Sequence, residues 1–142
     1  MGGLLHLTKD ADAVNAVVNH PAVRPFIGAP EAGDLDLSAM IEQPENLFPF
    51  GEHGGFAFIW TAPHAREVHT FILPEGRGKW ARDAAREAIG IAGQCGTVML
   101  WTRIPPHAPH VRAYAACMGM RATGETVATF GTPWPIYSMG VQ

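Results

Sequence analysis

A turn rich in glycine and cations, Pro74-Glu75-Gly76-Arg77-Gly78-Lys79-Trp80-Ala81, joins an apolar run ending at Leu73 to a stretch of helical periodicity. A turn of this kind presents unpaired backbone N–H groups and the positive end of a helix dipole, the arrangement that holds a phosphate. Arg77 and Lys79 add full charge, and Gly76 and Gly78 are expected to let the backbone approach the anion closely. Two nucleotide motifs are excluded by spelling. A Walker A loop needs Gly at 73 and Ser or Thr at 80, where the chain has Leu73 and Trp80, and no G-x-G-x-x-G occurs. Upstream, Glu67 and His69 stand two apart, so on a strand they project to one face. A carboxylate beside an imidazole is suited to moving protons.

Other polar residues suggest less. His107 and His110 are three apart, but Pro109 interrupts any helix and no cysteine or carboxylate cluster accompanies them, so no metal site is expected. Cys95 and Cys117 are too few for a disulfide framework and read as free thiols of a reducing, cytoplasmic compartment. Cys117 reads as packed on an apolar helix face.

The elements that must position these residues follow from periodicity. Residues 3–8 read as a strand, Ala11, Ala13, Val14, Val17 and Val18 as the apolar face of a helix capped by Asp10 and ended by Pro21, 24–33 as a loop carrying Pro25, Gly28, Pro30 and Gly33, and 35–41 as a short helix. Residues 47–50, 55–61 and 67–73 read as an antiparallel meander, with a hairpin turn at 51–54. The clearest helix is 78–92, with Ala81, Ala84, Ala85, Ala88 and Ala92 on one side and Arg82, Asp83, Arg86 and Glu87 on the other. A strand at 97–103, a loop at 104–109, a helix at 110–118 and strands at 123–130 and 136–141 complete the chain.

At 142 residues, 47% hydrophobic and 16% charged, the chain reads as one globular domain over 1–142. Its formal net charge of −3 argues against nucleic acid as a partner. Residues 1–7 are apolar but short and run into Lys9 and Asp10, which fits neither a signal peptide nor a membrane span. The apolar, proline-rich segment 132–137 suggests an edge strand able to pair with a second copy as a homodimer.

The 74–81 turn resembles the acyl-CoA pyrophosphate loop of the GNAT superfamily of N-acetyltransferases, usually written Q/R-x-x-G-x-G/A. Arg77-Gly78-Lys79 fits its core, while Trp80 stands where many members have Gly, and Ala81 where they have a second small residue. Downstream, Thr102-Arg103-Ile104-Pro105, a loop, a helix and Gly119-Met120 are similar to the family's strand, helix and Gly-Phe ending, in matching order over about residues 46–124. The resemblance implies an α+β fold with a mixed, mostly antiparallel sheet of six or seven strands flanked by helices. It implies acetyl-CoA as cofactor, lying where strands 67–73 and 97–103 splay apart.

It further implies cofactor contacts from Phe71, Ile72, Leu73, Gly76, Arg77, Gly78, Lys79, Trp80 and Ala81, with Trp80 shaping the adenine or pantetheine pocket and N–H groups around 71–73 serving as oxyanion donors. The implied reaction is N-acylation of a primary amine on a small molecule or protein, with Glu67 and His69 as the base pair. The family's Tyr falls on Ala115, with Tyr114 one place earlier. One residue turns a helix by about 100°, so Tyr114 is not expected to substitute. Water or Tyr137 would then protonate the thiolate, unless it leaves unassisted. The usual Asn is also replaced, by Ala108 and Pro109. These departures make a binding or assembly module without turnover the alternative reading.

Overall fold

The computed structural model describes residues 3–29, 31 and 33–141; Met1, Gly2, Gln142 and two residues of the 24–33 loop, Pro30 and Ala32, lie outside them. Seven strands form one sheet in the order β1-β2-β3-β4-β5-β7-β6: β1 (Leu5–Leu7), β2 (Pro49–Gly51), β3 (Gly54–Ala62), β4 (Ala65–Ile72), β5 (Met99–Arg103), β6 (Arg121–Thr129) and β7 (Thr132–Gly140). Every pairing is antiparallel except that of β4 with β5. The expected sheet, mixed and mostly antiparallel, is the one found.

Helices α1 (Ala11–Val18) and α2 (Ser38–Glu42) cover one face, where Val14, Val18 and Ile41 pack with Phe48, Phe50, Ala57 and Phe71. Helices α3 (Lys79–Gln94) and α4 (Pro109–Cys117) cover the other. There the alanine stripe of α3, Ala81, Ala84, Ala85, Ala88 and Ala92, packs on Phe56, Phe58, Val68, Ile72 and Leu100. Asp10 caps α1, its carboxylate accepting from the Ala13 N–H at 3.1 Å. Glu87 on α3 accepts from the Leu4 and Leu5 N–H groups at 3.0 and 2.5 Å, tying the chain's start to the helix beneath it. No helix among the described residues is long and apolar enough to cross a membrane.

Two expectations need correction. Residues 132–137 belong to β7, which lies between β5 and β6, so the strand at this end of the sheet is β6, and residues 132–134 pair with β6 alone. Pro133 and Pro135 are accommodated because pairing with β5 starts only at Ile136 opposite Arg103, so no ladder N–H toward β5 is needed before it. Cys95 and Cys117 are free thiols, but Cys117 is exposed, the buried side of α4 being Ala115.

Gly54 starts β3 with φ 108°, and a Cβ there would stand 2.0 Å from the Phe71 carbonyl oxygen. Gly54→Ala is therefore expected to cost at least about 2 kcal/mol, from left-handed strain and collision with the β4 backbone. Gly90→Ala, inside α3 with nothing within 4 Å of the new methyl, should instead add about 0.5–1 kcal/mol of stability. Urea unfolding of both variants, compared at equal m-value, measures the contrast.

Candidate active site in the fork between two strands

Parallel pairing of β4 and β5 covers Ala65 with Met99, Arg66 with Leu100 and Glu67 with Trp101, and then stops. Thr102 closes the crotch of the fork, its hydroxyl donating to the Val68 carbonyl at 2.9 Å. On the opposite side of β4, the Leu73 N–H donates to the His53 carbonyl at 2.9 Å, and His69 and Phe71 lie opposite Ala57 and Gly55 of β3. Strand alternation therefore turns the N–H and C=O groups of Thr70 and Ile72 into the fork and those of His69, Phe71 and Leu73 toward β3. Of the three N–H groups expected to face a thioester, those of residues 71–73, only that of Ile72 turns into the fork. Leu73 gives its N–H to His53 and packs its side chain on the α1–α2 face.

The fork opens a cleft of about 510 Å³ that reaches both faces of the sheet. Odd-numbered residues of β4 share Phe71's side, that of α1 and α2, and even-numbered ones share that of Val68 and Ile72, toward α3 and α4. Glu67 and His69 thus lie together, with His69 Nε2 3.4 Å from Glu67 Oε1. Arg103, at the end of β5, grips the same carboxylate in a fork: Nε to Oε2 at 2.7 Å and Nη2 to Oε1 at 3.2 Å. Burial pushes the Glu67 carboxyl up, but hydrogen bonds and charge from His69 and Arg103 outweigh this and hold it below the usual carboxylate range. An anion so held is a weak proton acceptor. It can orient His69 and stabilise an imidazolium, and the imidazole is about one-third exposed.

At the other end of the cleft, a 3-10 turn, Pro74–Gly76, leads into α3. Gly78 takes φ 101° before the first helical residue, and no side chain caps the helix. The Arg82 N–H bonds the Gly78 carbonyl at 3.1 Å, so the N–H groups of Lys79, Trp80 and Ala81 lie in the first turn, ahead of the helical ladder. A Cβ at Gly78 would meet nothing within 4 Å, which leaves the backbone open to a phosphate. The residues present fit the pyrophosphate expected from the sequence. Gly76 has a different reason to be Gly: a Cβ there would stand 2.4 Å from the His53 Cβ, so its smallness serves packing and not anion approach.

Of the nine residues expected at a cofactor, Phe71, Ile72, Arg77, Gly78 and Ala81 line the cleft, while Leu73, Gly76, Lys79 and Trp80 do not. Arg77 Nη2 donates to the Ala22 carbonyl at 3.0 Å. Lys79 is turned back along α3 to Asp83, at 2.5 Å. Trp80 packs edge-on to His53, with ring centroids 5.1 Å apart.

The phenols reverse expectation. Ala115 is buried in the α3–α4 core and Tyr114 lines the cleft, its hydroxyl donating to the Ala81 carbonyl at 2.7 Å. The 100° step that argued against Tyr114 is what brings it there, because the helix puts the small Ala115 side chain inward. Burial, with a smaller contribution from Cys117, pushes the Tyr114 pKa far up, so the phenol stays protonated. Tyr137 does not line the cleft. Tyr114, Thr102 and Arg103 are the site residues missed from the sequence.

Because folding lowers the Glu67 pKa, this carboxylate stabilises the fold above its unfolded-state value of about 4.3 and loses that contribution as pH falls through the lower folded-state value. The stability difference between the native chain and Glu67→Gln should therefore be largest above about pH 5 and shrink in acid. Urea midpoints from pH 3 to 7 measure it.

No protein-family model matches the chain, and no curated protein matches it in sequence. Solved structures do match. An acetyltransferase assignment from Salmonella typhimurium, solved with its cofactor acetyl-CoA, is 16% identical, with 100% of this chain and 94% of that one covered and a TM-score of 0.70. A GNAT-family protein of Desulfovibrio desulfuricans is 15% identical, with 97% and 98% covered and a TM-score of 0.74. The aminoglycoside acetyltransferase AAC(6')-Ib, solved with coenzyme A and kanamycin, is 14% identical, with 96% and 93% covered and a TM-score of 0.71. The chain has the fold of the GNAT acetyltransferases.

Proposed function

We propose that residues 1–142 act as one domain that transfers an acetyl group from acetyl-CoA to a primary amine of a small molecule or protein. The observation that carries this reading is the convergence of three features on one cleft: the unpaired edge of β4, the uncapped start of α3 and the His69–Glu67–Arg103 group. The solved neighbours that bind acetyl-CoA or coenzyme A support it through their shared fold.

Acetyl-CoA, when bound, supplies an activated acyl thioester. The N–H groups of Lys79, Trp80 and Ala81, with Arg77 beside them, would hold its pyrophosphate. Thr70 and Ile72 offer backbone donors and acceptors to its amide-bearing arm, and the Ile72 N–H stands ready for developing negative charge on an oxygen. On the α1–α2 side of the sheet, His69 takes the proton that an ammonium must lose before it can attack, and Glu67 and Arg103 hold His69 in place. On the α3–α4 side, the Tyr114 hydroxyl is the proton source for a departing thiolate.

Gly78→Asp places a carboxylate where the phosphate would lie. The native chain at a hundred times the dissociation constant of acetyl-CoA should gain about 2.7 kcal/mol, or roughly 5–15 °C in melting temperature, and Gly78→Asp should abolish the gain. ATP should leave the midpoint unmoved. In a thiol-release assay with an active amine, His69→Ala should lower kcat by about 10²–10⁴-fold with the acetyl-CoA shift intact. A native chain that melts at one temperature with and without acetyl-CoA would count against the reading. A shift without thiol release from any amine would favour the binding module.

A further inference from the structure

The lobe of the cleft on the α1–α2 side has walls whose chemistry narrows the acceptor. Its side chains Ile27, Leu35, Leu37, Met40 and Ile59 are apolar and half-buried to exposed, so they offer contact surface to something other than the protein core. Four of them, all but Met40, border the core cluster that contains Phe71, on the same sheet face as His69. The base therefore sits at the edge of an apolar pocket.

Charge points the same way. Among the described residues lining the cleft, Glu67 is the one carboxylate, against Arg77 and Arg103 and the imidazoles of His69 and His110. Glu67 is itself held by Arg103 and His69, so no unpaired carboxylate remains among the described residues that line the cleft. A pocket for an aminoglycoside, a polyamine or a lysine-rich peptide needs several carboxylates to replace the water around several ammonium groups. Here the sign is reversed. Arg103 uses Nε and Nη2 on Glu67, and its Nη1 has no protein partner among the described residues, although the side chain faces the cleft. A guanidinium edge left over beside a base is a site for a carboxylate carried by the acceptor.

We infer that the acceptor is a small α-amino carboxylate with an apolar side chain: its carboxylate on Arg103 Nη1, its amine at His69 and its side chain against Leu35, Leu37 and Ile59. This rests on the acyl-transfer reading above and adds the class of substrate. In the balanced reaction the amine nitrogen bonds the acyl carbon as the carbon–sulfur bond breaks. Of the two protons the ammonium loses, one is released through His69 to solvent, and the second replaces, by way of solvent, the proton that Tyr114 gives to the departing sulfur. The net products are an N-acyl amino acid, a thiol and one released proton.

The test uses the full chain with leucine, leucinamide, 3-methylbutylamine, spermidine and kanamycin as probes, in thiol release with acetyl-CoA and in melts of the CoA-loaded protein. Leucine should raise the melting temperature and show a KM at least tenfold below those of leucinamide and 3-methylbutylamine. Arg103→Lys keeps a cation beside Glu67 but loses the spare guanidinium edge, so, whatever it costs kcat for every amine, it should raise KM for leucine at least tenfold more than KM for 3-methylbutylamine. A lower KM for spermidine or kanamycin, equal values for leucine and leucinamide, or no melting shift with leucine overturns the inference and leaves acyl transfer standing. If CoA itself does not move the melt, the acyl-transfer reading and this inference fall together.

Discussion

The early end of β4–β5 pairing is the constraint on which the site depends. A parallel strand in the middle of a sheet ordinarily has both edges bonded, and buried backbone groups left without partners are costly. Here the ladder stops after Glu67 and Trp101, so Thr70 and Ile72 keep donors and acceptors facing a gap. The gap is stable because each wall is held by something else. Thr102 bonds the Val68 carbonyl at the crotch, β3 pairs β4 as far as Ile72, and β7 pairs β5 along its length. What remains is a rigid slot with unsatisfied polar edges, open to both faces of the sheet.

The slot also explains how charge is distributed. The alternation of β4 sends Glu67 and His69 to one face and Val68 and Ile72 to the other, so the titratable pair is separated from the uncapped start of α3 by the sheet itself. Arg103, fixed at the end of β5, reaches back across the crotch to Glu67 and joins the two walls electrostatically. The same contact, with His69, holds the Glu67 carboxyl below the usual carboxylate range. Tyr114 is positioned by the opposite face through the alanine stripe of α3, whose small side chains let α4 bring a phenol to the Ala81 carbonyl.

Much of this was legible in the sequence, and the reasons are physical. The α3 helix announced itself because alanines at three- and four-residue spacing leave one possible buried face, and the Gly-rich turn before it carries its own backbone logic at Gly78. Glu67 and His69 were legible as a pair because strand alternation needs no tertiary information. What failed depended on neighbours far along the chain. Gly76 is small because of His53, Trp80 turns to His53, and β7 lies inside the sheet because β5 and β6 pair on its two sides. Arg103 belongs to Glu67 only after a parallel crossover of 36 positions, and no local pattern encodes that contact.

The most direct test is amide hydrogen exchange, resolved by residue, with and without CoA. If the fork is the cofactor cleft, CoA will slow exchange at Thr70 and Ile72 and at Lys79, Trp80 and Ala81, while Phe71, whose N–H faces β3, will exchange at the same rate in both states. Unchanged exchange at Thr70 and Ile72 in a protein saturated with CoA would contradict the account, because the polar edge of β4 would then have no part in holding it.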